Sequence, residues 1–170
     1  MIRLARPSDL PALAEIERSA GEIFREFGMD AVADDEPFSA EELTPFISDG
    51  RAWVATDGSD LPIAYILVRE IDDGAHIEQV SVHDDYARRR IGASLIETVA
   101  GWARQRRRRS ITLTTFAEVP WNAPYYRTIG FAEVPVADVT LGLREICEEE
   151  EARGLTTWPR VVMRRQLRDP

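Results

Sequence analysis

Residues 77–96 read IEQVSVHDDYARRRIGASLI, and the order of elements in this stretch decides the fold. Residues 77–82 predict a strand, and residues 91–109 repeat apolar side chains at the spacing of a helix. The turn at 83–90 joins the two directly. A helix that begins right after such a turn presents several unpaired backbone N–H groups and the positive end of its dipole. The stretch therefore predicts an anion-binding site between a strand and a helix.

Two further features of this turn suit a phosphorylated ligand. Gly92 has no Cβ, so the backbone can approach a bulky ligand closely at this position. Arg88, Arg89 and Arg90 add positive charge, and the guanidinium group matches the geometry of phosphate oxygens. The alternative is a solvated arginine patch at the start of a helix, and the turn alone does not distinguish the two.

Here the sequence resembles the GNAT superfamily of N-acetyltransferases. Residues 86–95, which follow 79–83, are similar to that family's acetyl-CoA pyrophosphate motif, Gln/Arg-x-x-Gly-x-Gly/Ala. Gly92 falls on the second glycine, Arg90 stands where the first glycine usually is, and Ala87 replaces the usual Gln or Arg. Arg90 therefore either points its side chain away from the pyrophosphate or replaces a contact by charge. The main-chain N–H groups survive both changes, so the resemblance implies acetyl-CoA as co-substrate. The residues that it assigns to this ligand are Val80, Ser81, Val82, Arg88, Arg89, Arg90, Ile91, Gly92, Ala93, Ser94, Asn122 and Tyr125.

A second stretch, residues 122–131, resembles the family signature Tyr-x-x-x-Gly-Phe with an upstream asparagine. Tyr126 falls on the signature tyrosine, and the resemblance implies that it lies near the thioester sulfur and protonates the leaving thiolate. A tyrosine hydroxyl can supply a proton in such a step. Asn122 would bond the pantetheine arm of CoA or cap the helix that follows. Tyr125 is a rival for the role of the acid, and packing with the hydroxyl at the surface is the simpler role for a tyrosine here.

The proton of an incoming amine needs an acceptor before the amine can attack the thioester. Glu78 lies on the strand that leads into the turn, where several relatives, including polyamine-type acetyltransferases, carry a glutamate that accepts this proton. His76 is the second candidate, because strand alternation puts it on the same face and its intrinsic pKa suits a base. A structural pair with an arginine is the alternative role for Glu78, and His83 is expected to stabilise the turn. The thioester carbonyl would accept a main-chain N–H bond near residues 80–82.

The composition limits the classes of function. The chain has 170 residues, a net charge of −9 and one cysteine, Cys147, which excludes an internal disulfide. No apolar run approaches the roughly 18 residues that span a bilayer, so a soluble, cytoplasmic protein is expected. All 21 basic residues are arginines. The acidic total argues against a nucleic-acid partner, because phosphate affinity needs a basic face, and it is compatible with a cationic substrate.

Patterning along the rest of the chain completes the fold prediction. Leu10, Leu13, Ile16 and Glu17 share the stripe of a first helix, and a capping box at 39–42 starts a second helix that runs to about residue 50. The segment 21–37 between them is expected to be irregular. After the arginine turn, we expect strands over 110–116, 131–136 and 161–167, a short helix from 122 and a helix over 142–153.

These elements follow the order β-α-α-β-β-β-α-β-α-β-(α)-β, which predicts an α/β (α+β) protein. The resemblance implies a GNAT-like, mostly antiparallel sheet of about seven strands, with helices on both faces and a splay between strands 4 and 5. We expect residues 1–170 to form a single acyl-CoA N-acyltransferase domain.

Three segments are candidates for the acceptor side. An acidic segment would flank the acceptor cleft and favour a cation, with a solvated loop as the alternative. The connection over 141–154 is longer than a simple hairpin, so we expect it to fold over the acceptor side, bringing residues 148–151 or Trp158 near the pocket. Trp121 could wall the same cleft. The arginine run at 104–109 is expected to be a solvated face at the end of its helix. The acidic segment named first among these three contains Asp30, Asp34, Asp35 and Glu36.

The function predicted first is the direct transfer of an acetyl group from acetyl-CoA to a primary amine of a small cationic molecule, without a metal. One alternative is a protein lysine or N-terminal acetyltransferase, and another is a non-catalytic acyl-CoA sensor. An RNA-binding module is disfavoured by the net charge of −9. The expected partner is a small-molecule amine rather than nucleic acid or a membrane, and a homodimer is left open.

Overall fold

A computed structural model describes residues 1–167 of the chain, so residues 168–170 of the predicted single domain lie outside the described part. Packing divides the chain into two compact units. The first unit comprises residues 1–68 and 78–98, and the second comprises residues 69–77 and those from 99 onward. Among residues 1–167, no helix is long and apolar enough to cross a membrane.

The described residues form a seven-stranded sheet in the order β1-β2-β3-β4-β5-β7-β6. The pairs β1–β2, β2–β3, β5–β7 and β6–β7 are antiparallel, and β4–β5 is parallel. The prediction of a mixed, mostly antiparallel sheet is therefore confirmed. The strands are β1 Ile2–Leu4, β2 Ala52–Thr56, β3 Pro62–Ile71, β4 Gly74–Val82, β5 Ser110–Phe116, β6 Ala132–Glu133 and β7 Arg160–Gln166. The helices are α1 Leu10–Gly21, α2 Asp30–Ala33, α3 Ala40–Ser48, α4 Ile91–Gln105, α5 Ala123–Thr128 and α6 Leu141–Ala152.

The core of the first unit lies between α1, α3 and the strands β2 and β3. Leu13 and Ile16 of α1 pack with Leu43 of α3, because each helix keeps its apolar residues on one stripe. The sheet side of this cluster contributes Val54, Tyr65 and Leu67. The predicted capping box that starts α3 is present: the Ser39 hydroxyl accepts the Glu42 N–H at 3.2 Å, and the Glu42 carboxylate accepts the Ser39 N–H at 2.8 Å.

The second unit is built on β5. This strand pairs with β7 over its whole length, from Ser110 opposite Gln166 to Phe116 opposite Arg160. Its pairing with β4 covers Ala75 opposite Ile111 and His76 opposite Thr112. Both strands continue beyond that last pair. The most buried apolar side chains of this unit include Val99, Ala100, Ala103, Ile111, Leu113, Leu143, Ile146 and Met163.

The end of α4 differs from the prediction. The helix ends at Gln105 rather than at residue 109, because Arg107 adopts a left-handed conformation with φ 56°. The Arg108 N–H then bonds the Ala103 carbonyl at 2.9 Å, and the Arg107 N–H bonds the Arg104 carbonyl at 2.9 Å. These two bonds form a Schellman motif, which usually has glycine at the left-handed position. An arginine there gave no sequence signal for the helix end.

Two other predicted boundaries are wrong. The segment 21–37 is not irregular throughout, since a 3₁₀ turn occupies Glu22–Phe27 and α2 follows it. The strand predicted over 131–136 shrinks to Ala132–Glu133, because a 3₁₀ turn already begins at Val136. The helix predicted over 142–153 is present as α6, with each end one residue earlier.

Candidate active site

The arginine turn begins with a 3₁₀ turn over Asp84–Tyr86. His83 anchors it on both sides, because its N–H bonds the Ile63 carbonyl of β3 at 3.0 Å and its carbonyl accepts the Tyr86 N–H at 2.9 Å. The His83 Nδ1 atom also accepts the Asp85 N–H at 3.2 Å. The predicted role of His83 in stabilising the turn is therefore confirmed.

Two arginines of the turn have left-handed backbones. Arg88 has φ 62° and Arg90 has φ 60°, a region that glycine adopts far more readily than other residues. Arg90 thus has a left-handed conformation that would favour glycine, the residue usually found at this position of the motif. Its carbonyl accepts the N–H of Ser94 at 3.1 Å, which closes the first turn of α4. The N–H groups of residues 91–93 precede that bond and have no carbonyl four residues back within the helix.

Gly92 lies in this first turn with room beside it. A Cβ added at Gly92 would meet Val82 Cγ2 at 3.7 Å, which is ordinary van der Waals contact. Its backbone is helical rather than left-handed, so neither packing within the described chain nor conformation requires glycine here. The absence of a side chain instead leaves space over the N–H groups at the start of α4, which suits the close approach of a diphosphate.

The three arginine side chains of the turn are exposed. The Arg89 guanidinium lies 5.2 Å from the centroid of the Tyr86 ring and donates to the Asp85 carbonyl at 3.2 Å. It is therefore held close to the turn itself. Arg88 and Arg90 bring two further positive charges to the same turn. A guanidinium group can pair with phosphate oxygens.

The two candidate bases on β4 differ in environment. His76 is 2% exposed, and its Nδ1 atom lies 3.0 Å from the Thr112 hydroxyl. Burial, with a smaller contribution from the charge of Arg69, lowers the pKa of His76 to about 4. A buried imidazole with so low a pKa is a weak proton acceptor at neutral pH. Glu78 is only half-buried on the same strand, and this difference favours Glu78 over His76.

Tyr126 lies on α5 and is 9% exposed. Its ring packs edge-on against Tyr125, with centroids 5.7 Å apart, and against Phe131, with centroids 5.8 Å apart. Burial raises the pKa of Tyr126 well above its usual value, and the neighbouring Tyr125 raises it further. The hydroxyl therefore keeps its proton at neutral pH, which a proton donor needs.

Asn122 occupies the N-cap position of α5, yet its side chain makes no capping hydrogen bond. Its carbonyl accepts the Tyr126 N–H at 2.9 Å, so only the main chain of Asn122 serves the helix. The side-chain Oδ1 atom is buried, and among residues 1–167 no hydrogen-bond partner reaches it. Buried polar atoms are normally paired, so this oxygen has unused hydrogen-bonding capacity. Of the two roles expected for Asn122, capping by the side chain is excluded.

The acidic segment is partly neutralised from within. Arg25 bonds Asp34 at 2.5 Å and Glu22 at 3.0 Å, and this contact lowers the pKa of the Asp34 carboxyl. Asp30, Asp35 and Glu36 are also exposed. The segment therefore keeps a net negative charge.

The carboxylates of α6 are less available than the sequence suggests. Glu149 pairs with Arg69 of β3 at 3.0 Å, and Glu150 pairs with Arg160 of β7 at 3.2 Å and bonds the Thr114 hydroxyl. The Arg160 guanidinium also lies 4.6 Å from the centroid of the Phe116 ring, against which Trp158 packs edge-on. Glu149, Glu150 and Trp158 therefore have partners within the second unit, and their presence is explained without an acceptor substrate.

The arginine run after α4 is exposed as expected, except at Arg108. This residue is half-buried and pairs with Glu70 at 3.0 Å. Trp121 is half-buried beside Asn122. Among the described residues, no group of three or more His, Cys, Asp or Glu side chains could hold a metal ion.

No sequence motif indicated that α1 contacts the arginine turn. The Ser19 hydroxyl accepts the Asp84 N–H at 3.0 Å, at the start of the 3₁₀ turn. Glu17 accepts the hydroxyl of buried Tyr65 at 2.7 Å. One feature of the sequence could have indicated the contact between Glu17 and Tyr65. Glu17 lies on the buried stripe of an amphipathic helix, and a carboxylate in such a place needs a partner.

The fold is similar to those of solved acetyltransferases. A GNAT-family acetyltransferase from Staphylococcus aureus Mu50 has a TM-score of 0.71 at 17% identity, covering 99% of this chain and 99% of its own. The PaiA N-acetyltransferase from Thermoplasma acidophilum, solved with coenzyme A, has a TM-score of 0.70 at 16% identity over 98% of each chain. The ribosomal-protein-S18-alanine N-acetyltransferase from Escherichia coli has a TM-score of 0.65 at 19% identity, over 98% of this chain and 93% of its own. The chain therefore has the fold of this class of acyltransferase.

The family follows from the sequence. The model of the Acetyltransferase (GNAT) family matches residues 12–131, which is more than half of the chain. The chain belongs to this family and is an acetyl-CoA-dependent acyltransferase. The match includes both the arginine turn and the segment 122–131, so the resemblance drawn from these two motifs is confirmed.

Proposed function

We propose that the protein transfers the acetyl group of acetyl-CoA directly to a primary amine of a small cationic molecule, and that the chain acts as a single N-acyltransferase domain. The observation that carries the proposal is the arginine turn. Arg90, which stands where the motif has glycine, has a left-handed backbone that glycine adopts readily, and this supports a main-chain cradle like that of the motif. Gly92 leaves space over the free N–H groups of α4, and the surrounding arginines supply charge.

In this proposal the pyrophosphate of acetyl-CoA binds the N–H groups at the start of α4, with Arg88 and Arg89 on its oxygens. The assigned residues Ile91, Ala93 and Ser94 contribute through their main chain. The buried Oδ1 atom of Asn122 accepts an N–H of the pantetheine arm, which satisfies its unused hydrogen-bonding capacity. Tyr125, half-buried on the same helix, packs against that arm.

The chemistry then needs a carbonyl contact and a route for two protons. A main-chain N–H of the stretch 80–82 bonds the thioester oxygen, and the negative charge that develops there strengthens this bond. Glu78 takes the proton of the ammonium substrate, the amine nitrogen attacks the carbonyl carbon, and the carbon–sulfur bond breaks. Tyr126 donates its hydroxyl proton to the departing thiolate, and the second proton that the nitrogen loses as the amide forms returns Tyr126 to its neutral state. The products are the N-acetyl amine and CoA.

The cationic class of substrate is proposed on charge. The chain carries a net charge of −9, and the segment containing Asp30, Asp35 and Glu36 keeps a net negative charge after Arg25 is counted. A field of this sign raises the local concentration of cations. Spermidine carries several positive charges and an aliphatic monoamine of similar length carries one. If the negative field selects the substrate, the rate with spermidine should gain more than the rate with the monoamine as ionic strength falls.

The first test is calorimetric titration of the protein with CoA, with Gly92→Asp as the diagnostic variant. Aspartate in the first turn of a helix is favourable toward the helix dipole, so the fold should keep its melting temperature. Its carboxylate would nevertheless repel a diphosphate, and we expect CoA affinity to fall about tenfold or more. Gly101→Asp is the matched control, since it places the same charge on α4 where an added Cβ meets nothing within 4 Å. Equal affinity of the two variants would remove the diphosphate from this turn.

Thiol release from acetyl-CoA against an amine panel tests the transfer itself. The panel holds spermidine, an aliphatic monoamine, and peptides with either one lysine or only a free N-terminus. Faster release with the peptides would favour a protein acetyltransferase, and CoA binding without release would favour a sensor. Glu78→Gln should move the rate profile toward higher pH, because the amine must then lose its proton unaided; an unchanged profile rejects Glu78 as the base.

A further inference from the structure

The 3₁₀ turn that starts the arginine turn has three backbone N–H groups, and one of them is bonded by another element. The N–H groups of Asp85 and Tyr86 bond Nδ1 and the carbonyl of His83, at 3.2 and 2.9 Å. The Asp84 N–H instead donates to the Ser19 hydroxyl of α1 at 3.0 Å. The first N–H groups of a helical turn have no partner within it, so a side chain from outside can fix where the turn lies.

The bond from Ser19 also bears on the residues that follow Asp84. The Asp84 carbonyl accepts the N–H of Ala87 at 2.9 Å, so both main-chain groups of Asp84 are bonded. The next residue, Arg88, has a left-handed backbone with φ 62°. Arg90 has φ 60°, and α4 begins directly after it. The position of Asp84 therefore sets where the chain starts its path to the N–H groups of α4.

The helix that carries Ser19 is held firmly in the first unit. Leu13 and Ile16 of α1 are 0% and 2% exposed and belong to the core of that unit. Glu17 accepts the hydroxyl of buried Tyr65 of β3 at 2.7 Å. Ser19 follows these contacts in the last turn of α1. A polar group on a packed helix is placed more precisely than one on a loop, so Ser19 can hold the arginine turn to the body of the unit.

We propose that Ser19 is a positioning residue for the diphosphate of acetyl-CoA, acting through the main chain of Asp84 on the arginine turn. This inference rests on the proposed function, in which the N–H groups at the start of α4 bind the diphosphate. These donors must point at one ligand together, and a small displacement of the turn would spoil their common aim. Ser19 carries no charge, so it contributes to affinity through the placement of the turn.

The variant Ser19→Ala tests the acceptor of this bond. Alanine favours a helix at least as well as serine, so the melting temperature should not fall. The loss of one neutral hydrogen bond should raise the Kd for CoA and the KM for acetyl-CoA by about threefold to tenfold. We expect kcat to stay within about twofold of wild type, because Glu78 and Tyr126 are unchanged. Ser48→Ala is the matched control: it makes the same change in the last turn of α3 and should leave all three constants unchanged.

The variant Asp84→Pro tests the donor of the same bond. Proline has no N–H and is accepted at the first position of a helical turn. His83 before it has φ −55° and ψ 139°, an extended conformation that suits a residue preceding proline. Asp84→Ala is the reference, because it removes the same exposed carboxylate but keeps the N–H. Adding Ser19→Ala should weaken CoA binding about threefold to tenfold in the Asp84→Ala protein and cause no further loss in the Asp84→Pro protein.

The outcomes separate the two proposals. A wild-type protein that binds no CoA in calorimetric titration overturns both. One that binds CoA but releases no thiol with any panel amine overturns the proposed transfer, while the Kd values still decide the role of Ser19. That role alone is overturned if Ser19→Ala binds CoA as tightly as Ser48→Ala, or if its kcat falls as much as its affinity. It is also overturned if Ser19→Ala weakens binding equally in the Asp84→Pro and Asp84→Ala proteins.

Discussion

Replacing Arg90 by glycine should stabilise the protein without weakening its affinity for CoA beyond the loss of one charge. Arg90 has φ 60°, a conformation that costs a residue with a Cβ about 1–2 kcal/mol. Glycine avoids this cost, but it also gives the unfolded chain about 0.4–1 kcal/mol of additional conformational freedom. The expected net gain in the free energy of unfolding is therefore about 0.5–1 kcal/mol. In a domain of this size, that raises the melting temperature by about 2 °C.

Arg90→Ala isolates the backbone contribution. It removes the same guanidinium as Arg90→Gly but keeps a Cβ at the left-handed position. The two variants have the same net charge, so the difference between their urea unfolding curves measures the strain at this residue less the conformational freedom that glycine adds to the unfolded chain. Titration with CoA at low and high salt then shows what the charge contributes, because a purely main-chain cradle should bind equally well in both variants. If Arg90→Ala proved more stable than Arg90→Gly by about 0.4–1 kcal/mol, the full amount that the freedom of glycine costs, the turn would not be strained at this residue. The explanation of how an arginine replaces the motif glycine would then fail.

Three further changes have expected outcomes. Tyr126→Phe should lower kcat about 100-fold while the Kd for CoA stays the same, with Tyr125→Phe as the matched control. Because burial raises the pKa of Tyr126, the kcat of the wild-type protein should show no fall due to this group below about pH 10. Burial lowers the pKa of His76 to about 4 in the folded protein. As pH falls, the His76 imidazole is therefore protonated near pH 6.5 in the unfolded chain but only near pH 4 in the folded chain. Urea unfolding should therefore show stability falling as pH drops through that window, and in His76→Gln this part of the slope should vanish. Arg107→Gly should raise the melting temperature by a few degrees, measured by calorimetry, because glycine fits the left-handed position of the Schellman motif; a decrease would contradict that reading of the helix end.

The sequence predicted the elements whose ends carry local signals. Ser39 and Glu42 form the capping box that starts α3, and the strand, turn and helix around residues 77–96 appear in the predicted order. The end of α4 at Arg107 and the backbone of Arg90 in the turn before the helix could not be predicted, because both residues take left-handed conformations without being glycine or asparagine. In both cases surrounding hydrogen bonds decide the backbone, and those bonds are invisible before the chain folds.

The candidate site shows the same division. Motif spacing placed Gly92, Tyr126 and Asn122, and the structure adds the environment that spacing cannot give. Only coordinates reveal that Asn122 leaves its helix uncapped by its side chain. Long-range pairs were also out of reach: Glu17 and Tyr65 are 48 residues apart, and no local pattern connects a helix carboxylate to a particular strand hydroxyl.

The arginine turn has a chemical consequence for an enzyme that handles an activated acyl group. A thioester reacts with unprotonated primary amines, and lysine side chains are the usual targets of acetylation. The 21 cationic side chains of this chain are all guanidinium groups, including the three beside Gly92. Guanidinium stays protonated at every physiological pH, so it offers no free nitrogen lone pair to the thioester. With acetyl-CoA bound as proposed, the turn therefore carries positive charge that the thioester does not acetylate.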